Sequence, residues 1–314
     1  MQQSHDIRWK TIFYLSQLPE HMWNLLQFEL FKTFKKPRTY IAFGAIAAIV
    51  FLIQIALLIN GKEYVQFILS SVDETLVIPY AKITNGYWIC FAILNLLLIH
   101  VPILVALVSG DIIAGEANAG TLRLLLTKPF SRTKLLLAKF FACIIYTLIL
   151  LVWMAFLALF ISVLLFGTND LVVAKEFELV QIEKADVLWR YFAAFGFAAV
   201  ALMVVAALSF FLSSISENSI GPIVATVSII IVLTILSEMR IPIYDNTVKP
   251  YLFTTHMLGW KGFFYIDANA NGQTIRGSVS NISALFKSLA VLVAYIIIFT
   301  GSAIYIFNRK DVLS

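Results

Sequence analysis

The chain has 314 residues, of which 61% are hydrophobic and 13% charged, and a formal net charge of +5. A soluble domain carries about 25% charged residues, so this composition excludes an ordinary soluble enzyme or nucleic-acid-binding module and indicates an integral membrane protein. The two cysteines, Cys90 and Cys143, lie inside apolar runs and read as small buried hydrophobes, not as a disulfide framework.

The first twenty residues hold Asp6, Arg8, Lys10 and Glu20 and have no clean apolar core, so they do not read as a cleavable signal. Next comes PEHMWNLLQFELFKTFKKPR. Met22, Leu26, Leu30 and Phe34 recur every fourth residue, while Asn24, Gln27 and Lys35 lie elsewhere around the helix. Pro19 suits a helix start and Pro37 a stop. Lys32, Lys35, Lys36 and Arg38 fall where headgroups of anionic lipid would lie. The segment predicts an interfacial amphipathic helix; the alternative is a helix packed by its apolar face on the bundle.

Six stretches reach the ~20 apolar residues that cross a bilayer as a helix: Tyr40–Ile59, Tyr87–Ser109, Leu135–Phe166, Tyr191–Ser213, Ile220–Ser237 and Ser288–Phe307. The fold class is therefore all-α, a polytopic membrane protein. The third stretch exceeds one bilayer thickness, so its Lys139 end is expected to extend into water. With both termini inside, the inside segments hold more than half of the Lys and Arg but fewer than half of the Asp and Glu. That asymmetry predicts cytoplasmic termini in a cell membrane. Residues 1–39 form the amino-terminal unit, 40–307 the span domain and 308–314 a tail. Outer loops occupy 60–86, 167–190 and 238–287. The second of these is acidic and suggests a short surface helix; the third, with KPYLFTTHMLGWKGFF, suits an aromatic belt.

Polar residues within spans are costly and therefore informative. Gln54 lies in the first span; Asn95, His100 and a kink-forming Pro102 lie in the second. They read either as a translocation path or hinge, or as interhelical hydrogen-bonding glue. Ala193, Ala194, Gly196, Ala198 and Ala199 mark close packing of the fourth span. Catalysis and a metal site both lack ligands, since the spans hold one histidine and no buried acid.

One compact polar stretch, GDIIAGEANAGTLRLLLTKPFSRTKLLLAK (Gly110–Lys139), separates the second and third spans. Gly115 and Gly120 allow turns. Thr121 suits the N-cap of a short helix that Pro129 ends, and Ser131 suits the cap of the long third helix. The product is an elbow of helix, turn, short helix, turn and helix, which exposes Leu122, Leu124, Leu125 and Leu126 beside Arg123 and Lys128. A short helix of this kind must bury its leucines on lipid or in another protein's groove.

Gly110-Asp111, Ala114-Gly115-Glu116, Gly120-Thr121-Leu122, Leu125-Leu126, Pro129, Ser131-Arg132 and Ala138-Lys139 resemble the cytoplasmic loop of the type-2 permeases of ATP-binding-cassette (ABC) transporters, and IFNRKDV (Ile306–Val312) resembles how such chains end. The resemblance implies six spans, an interfacial amino-terminal helix, and a coupling helix in loop 110–134 that contacts an ATPase. It implies Glu116, Gly120, Thr121, Leu122, Arg123, Leu125, Leu126 and Pro129 as the ATPase-coupling residues. Glu116 and Arg123 either fix the elbow by ion pairing or touch the ATPase. The chain has no GxxxxGK[ST] run; Gly259-Trp-Lys-Gly and Gly61-Lys-Glu lack the remainder. No cofactor is expected on this chain, and ATP and Mg belong to the partner. The implied partners are two copies of an ABC ATP-binding subunit, a second permease copy (a homodimer), the lipid bilayer and possible extracytoplasmic protein, with no nucleic acid. The implied function is an exporter permease working by alternating access. The alternative is ATP-driven conformational work on an extracytoplasmic partner without solute transfer.

Overall fold

A computed structural model describes residues 22–70, 84–97, 100–127, 131–175, 178–239, 247–267 and 275–310. The chain is mostly helical. Helix α1 (Met22–Lys35) turns at Pro37 into α2 (Pro37–Ser70), whose backbone kinks at Asn60. Lys36 cannot remain helical comfortably before a proline, and the corner is closed by Thr39, whose hydroxyl donates to the Thr33 carbonyl at 2.5 Å. Helices α3 (Gly86–Leu97) and α4 (His100–Ser109) are bent by 55° from one another. Pro102 sits in the first turn after the break, where its missing N–H costs least.

Helices α5 (Asp111–Asn118) and α6 (Thr121–Leu126) form the elbow. Helix α7 (Arg132–Ala155) passes through a π-helical turn (Phe156–Ile161) into α8 (Ser162–Phe166). The Ser131 hydroxyl caps α7 by accepting from the Lys134 amide at 3.2 Å. Strands β1 (Leu171–Lys175) and β2 (Glu178–Ile182) pair antiparallel, Val173 opposite Val180. Helices α9 (Lys184–Ile215) and α10 (Ile220–Glu238) follow, then a 3₁₀ turn (Lys249–Tyr251), α11 (Phe253–Met257), a second 3₁₀ turn (Leu258–Phe264) and α12 (Ile282–Arg309).

Among the described residues, five helices are long and apolar enough to cross a membrane, and the bent α3–α4 pair makes a sixth candidate if it is one span. Helix α9 is the hub. Its most apolar stretch is 61% buried, against 17% for that of α12 and 22% for that of α10, and it packs against α4, α7, α10, α12 and the second 3₁₀ turn. The peripheral helices present Leu52, Val152, Leu164, Ile235 and Ile297 outward, as expected where the solvent is lipid.

Two expectations are corrected. The loop at 167–190 holds the β1–β2 hairpin and the start of α9, not a surface helix. Val172, Val173, Val180 and Ile182 are β-branched and favour a pleated strand over a helical face. At the Lys139 end of the third span, the Lys139 side chain itself is not in water: it is 1% exposed, while Ser131 and Lys134 at the start of α7 are exposed. Of the expected loop 60–86, residues 60–70 continue α2 as helix and 71–83 lie outside the described residues, as does the tail from residue 311.

The bundle has two distinct ends. At one, here the elbow end, Arg132 donates to the Lys310 carbonyl at 3.0 Å, Asn308 to Thr133 at 3.1 Å and Lys310 to the Ile215 carbonyl at 3.2 Å. At the other, the hairpin end, Asn85 caps α3 through its Oδ1 and donates to the Asp170 carbonyl at 2.8 Å.

Candidate functional site

The elbow is built around buried charge. Helix α1 turns Leu25, Glu29 and Thr33 inward, an i, i+4, i+8 stripe one residue away from the Leu26–Leu30–Phe34 stripe. The latter residues pack half-buried beside it. Trp23 and Phe31 remain 63% and 61% exposed on the far side. Thus α1 both docks on α7 and keeps an aromatic outer face.

Glu29 faces Lys139 of α7 at 2.9 Å, and Lys139 also reaches Glu116 of α5 at 2.7 Å. Lys32, one turn after Glu29, lies 3.5 Å from it and forms a close ion pair with Glu116. Four alternating charges therefore join three elements that are far apart in sequence. A lone buried ammonium costs several kcal/mol; here it is matched by two carboxylates. Burial pushes the Glu29 carboxyl up, but Lys139 and Lys32 outweigh it and hold it below its ordinary value. Burial, with the repulsion of Lys139, brings the Lys32 ammonium down to about 7 against the pull of Glu29.

A second ionic cluster lies alongside. Asp111, 2% exposed at the start of α5, meets Lys36 at 2.7 Å and Arg38 at 2.6 Å. This explains Gly115. It lies inside α5 and makes no turn; a Cβ there would collide with the Asp111 carboxylate. The turn belongs to Gly120, at φ 68°, a region that costs an L-residue ~1–2 kcal/mol. Gly120, not Thr121, occupies the N-cap of α6, and the Thr121 hydroxyl instead donates to the Glu116 carbonyl at 3.3 Å. The Ser213 hydroxyl of α9 accepts from the amides of Ile113 and Ala114 at 3.2 and 2.9 Å, two of the orphan donors that open α5.

The short helix α6 is amphipathic in a phase that a run of leucines conceals. Leu122, expected on the outer face, is 4% exposed and anchors α6 to the core. Leu124 is 68% exposed, with Leu125 half-buried beside it. The side chains of Arg123 and Leu126 and all of Pro129 lie outside the described residues. Glu217, in the turn before α10, is exposed, and Asn218 makes the capping bond to the Ile220 amide at 3.0 Å.

The polar residues of the first two candidate spans do not converge. Gln54 is buried and donates to the Leu157 carbonyl at 3.0 Å and to Ser162 at 2.9 Å, bracing the π-helical turn. Asn95 and His100 each bond back to their own chain, at Phe91 and Leu96. Pro102 is buried. Sequence reasoning missed Glu29, Lys139 and Asp111 as members of the site. The signal available was charge within an otherwise apolar helical face, as at Lys139. Among the described residues no group of three or more His, Cys, Asp or Glu is placed to hold a metal ion.

Residues 45–313 match the model of a family described as protein of unknown function (DUF2705). The uncharacterized protein YhcI of Bacillus subtilis (strain 168) is 23% identical over 209 residues, which cover 66% of this chain and 63% of YhcI. The chain thus spans less than two thirds of that relative's length.

Proposed function

We propose that this chain, which belongs to the DUF2705 family, is the transmembrane permease subunit of an ABC transporter, an exporter driven by a separate ATPase polypeptide. One observation carries the reading: α5, from which the elbow's short helix α6 continues, is tied to α1 and α7 by a buried ionic joint, and α6, anchored by Leu122, keeps apolar side chains on its outer side. Leu124 and Leu125 supply the docking face for the ATPase, and Leu122 anchors that face from within. Glu116 takes the elbow-fixing role through Lys139 and Lys32. A push on α6 then passes through α5 to α7 and α1 together. Only a contact that differs between two states does conformational work, and the ionic joint is where such a difference is made.

In this reading α3 and α4 form one broken span, giving six, and both termini face the cytoplasm. The elbow end is the cytoplasmic one. Two permease copies associate through apolar faces, with two ATPase subunits below them. Gln54, Asn95, His100 and Pro102 serve as packing glue and hinge, not as a shared path, because they do not converge. A second reading is favoured by the hairpin end, where Arg190 of α9 holds the carbonyls of Phe263 and Ser278. There the ATPase moves an extracytoplasmic partner and no solute crosses.

The test is ATP hydrolysis by the reconstituted complex. Replacing both Leu124 and Leu125 with Asp is expected to abolish permease stimulation while the chain still inserts. Wild-type stimulation in that double variant refutes the docking assignment.

A further inference from the structure

A cavity of about 60 Å³ lies inside the single chain, between α3–α4, α7, α9 and the 247–267 element. Its walls include Leu97, Pro102, Met154, Ala198, Met257 and Trp260. It contains neither Gln54 nor the ionic joint, and it does not depend on the ATPase reading. Ala198 belongs to the small-residue stretch of α9 that the sequence marks for close helix packing. That stretch packs against the core, and Ala194 and Ala198 also line the cavity.

Three properties narrow the occupant. Among the described residues, Trp260 is the only lining side chain with a nitrogen or oxygen atom; an apolar cavity of this kind stays free of water. The lining offers no charge or paired donors to hold a headgroup. The volume is well below the ~150 Å³ in which an engineered apolar cavity holds benzene, so the occupant is slender and not a ring. Leu97 and Val101, on either side of the 55° bend between α3 and α4, both line the cavity, which lies among helices apolar enough to cross a bilayer. The abundant slender apolar molecule in that setting is a lipid tail.

We propose that this cavity binds the end of an acyl chain of a bilayer phospholipid, inserted from the membrane beside the α3–α4 break. The tail fills the space between Met154 and Ala198 and ends against the Trp260 ring. The headgroup stays outside the protein, so the site selects chain shape and not headgroup charge. Occupancy supports the bent form of α3–α4, because straightening the pair moves Leu97 and Pro102 relative to α9.

Trp260 is a built-in reporter, since it is 6% exposed and packs on Phe91 and Phe264. The full chain is reconstituted in phosphatidylcholine vesicles and in vesicles of the same lipid brominated near the chain ends. The Trp260 emission is isolated as the difference between wild type and Trp260→Phe. Bromination is expected to cut that emission about two-fold, because a preformed pocket holds its ligand against the ring. Ala198→Leu and Met154→Phe fill the cavity from two walls, and each is expected to remove most of the quenching. Trp260 emission that ignores bromination overturns the proposal. So does quenching that persists unchanged in a filled variant that still inserts, since it then comes from lipid outside the cavity.

Discussion

At the elbow end, Lys139 is buried between two carboxylates that arrive from positions 29 and 116. At the hairpin end, Arg190, with no exposed surface, pairs with Asp186 one turn away on its own helix at 2.5 Å. It also donates to the backbone carbonyls of Phe263 and Ser278 at 2.6 and 2.8 Å. The first arrangement links side chains of three elements, and Lys32 stands by as a second cation for both carboxylates. Such pairs can exchange partners without breaking any backbone bond. The second arrangement spends a planar, rigid fork of donors on main-chain acceptors, and a cluster of Phe91, Tyr191 and Phe264 packs beside it with ring centroids 4.9 to 5.2 Å apart. The elbow end is joined side chain to side chain, the hairpin end by a guanidinium fixed to the main chain.

The comparison is broken most forcefully at Lys139. Lys139→Met leaves Glu29 and Glu116 buried with only Lys32 between them, and removing one partner of a buried pair costs ~3–5 kcal/mol. Chemical denaturation in detergent is expected to register that loss. Adding Glu29→Leu should recover most of it, because an apolar pair of similar volume replaces a buried ionic one at little cost. A double variant no more stable than Lys139→Met would mean that the two residues are not coupled.

Arg190→Lys comes next. It keeps the charge but loses the fork, so bonds to Phe263 and Ser278 cannot both survive. Hydrogen bonds to charged groups contribute ~1.5–3 kcal/mol, and the expected sign is faster hydrogen exchange around 263–278 with the elbow unchanged. Equal loosening of both ends would erase the distinction between them. Gly120→Val is smaller. The space around Gly120 is open, so the cost is backbone strain alone, ~1–2 kcal/mol. Under the permease proposal it should fall on transport per ATP hydrolysed more than on folding.

The smallest effect is a pH dependence. The Glu29 carboxyl is held below its ordinary 4.5 in the folded chain. The unfolded chain therefore takes up protons first as pH falls. The stability contributed by Glu29 is complete above about 4.5 and is lost as pH drops through the folded value. Glu29→Gln should flatten melting temperature against pH in that window, which differential scanning fluorimetry measures; an unchanged slope would locate the acid sensitivity elsewhere.

Much of this was legible in the sequence because it is periodic or local. Long apolar runs give the helices, Pro37 gives the α1–α2 corner, Ser131 caps α7 and Gly120 takes the positive φ. The charge joint was not legible. Glu29 and Lys139 are 110 residues apart, and no helical period relates them. Each alone reads as a solvated charge near a membrane surface. The phase of α6 was hidden for a different reason: with consecutive leucines at 124 to 126 and another at 122, composition cannot say which side faces inward. The hairpin was missed because acidic residues around Val172, Val173 and Val180 suggested a surface helix, while the cross-strand pairing that decides the matter is tertiary.

The most direct measurement is purification of this chain in mild detergent from its native membrane, followed by mass spectrometry and an ATPase assay. The account predicts a co-purifying Walker-motif ATPase, present with wild type and with Glu29→Gln, and lost when Leu124 and Leu125 are both replaced by Asp. A chain that arrives without such a subunit, or an ATPase that the double variant still retains, would contradict it.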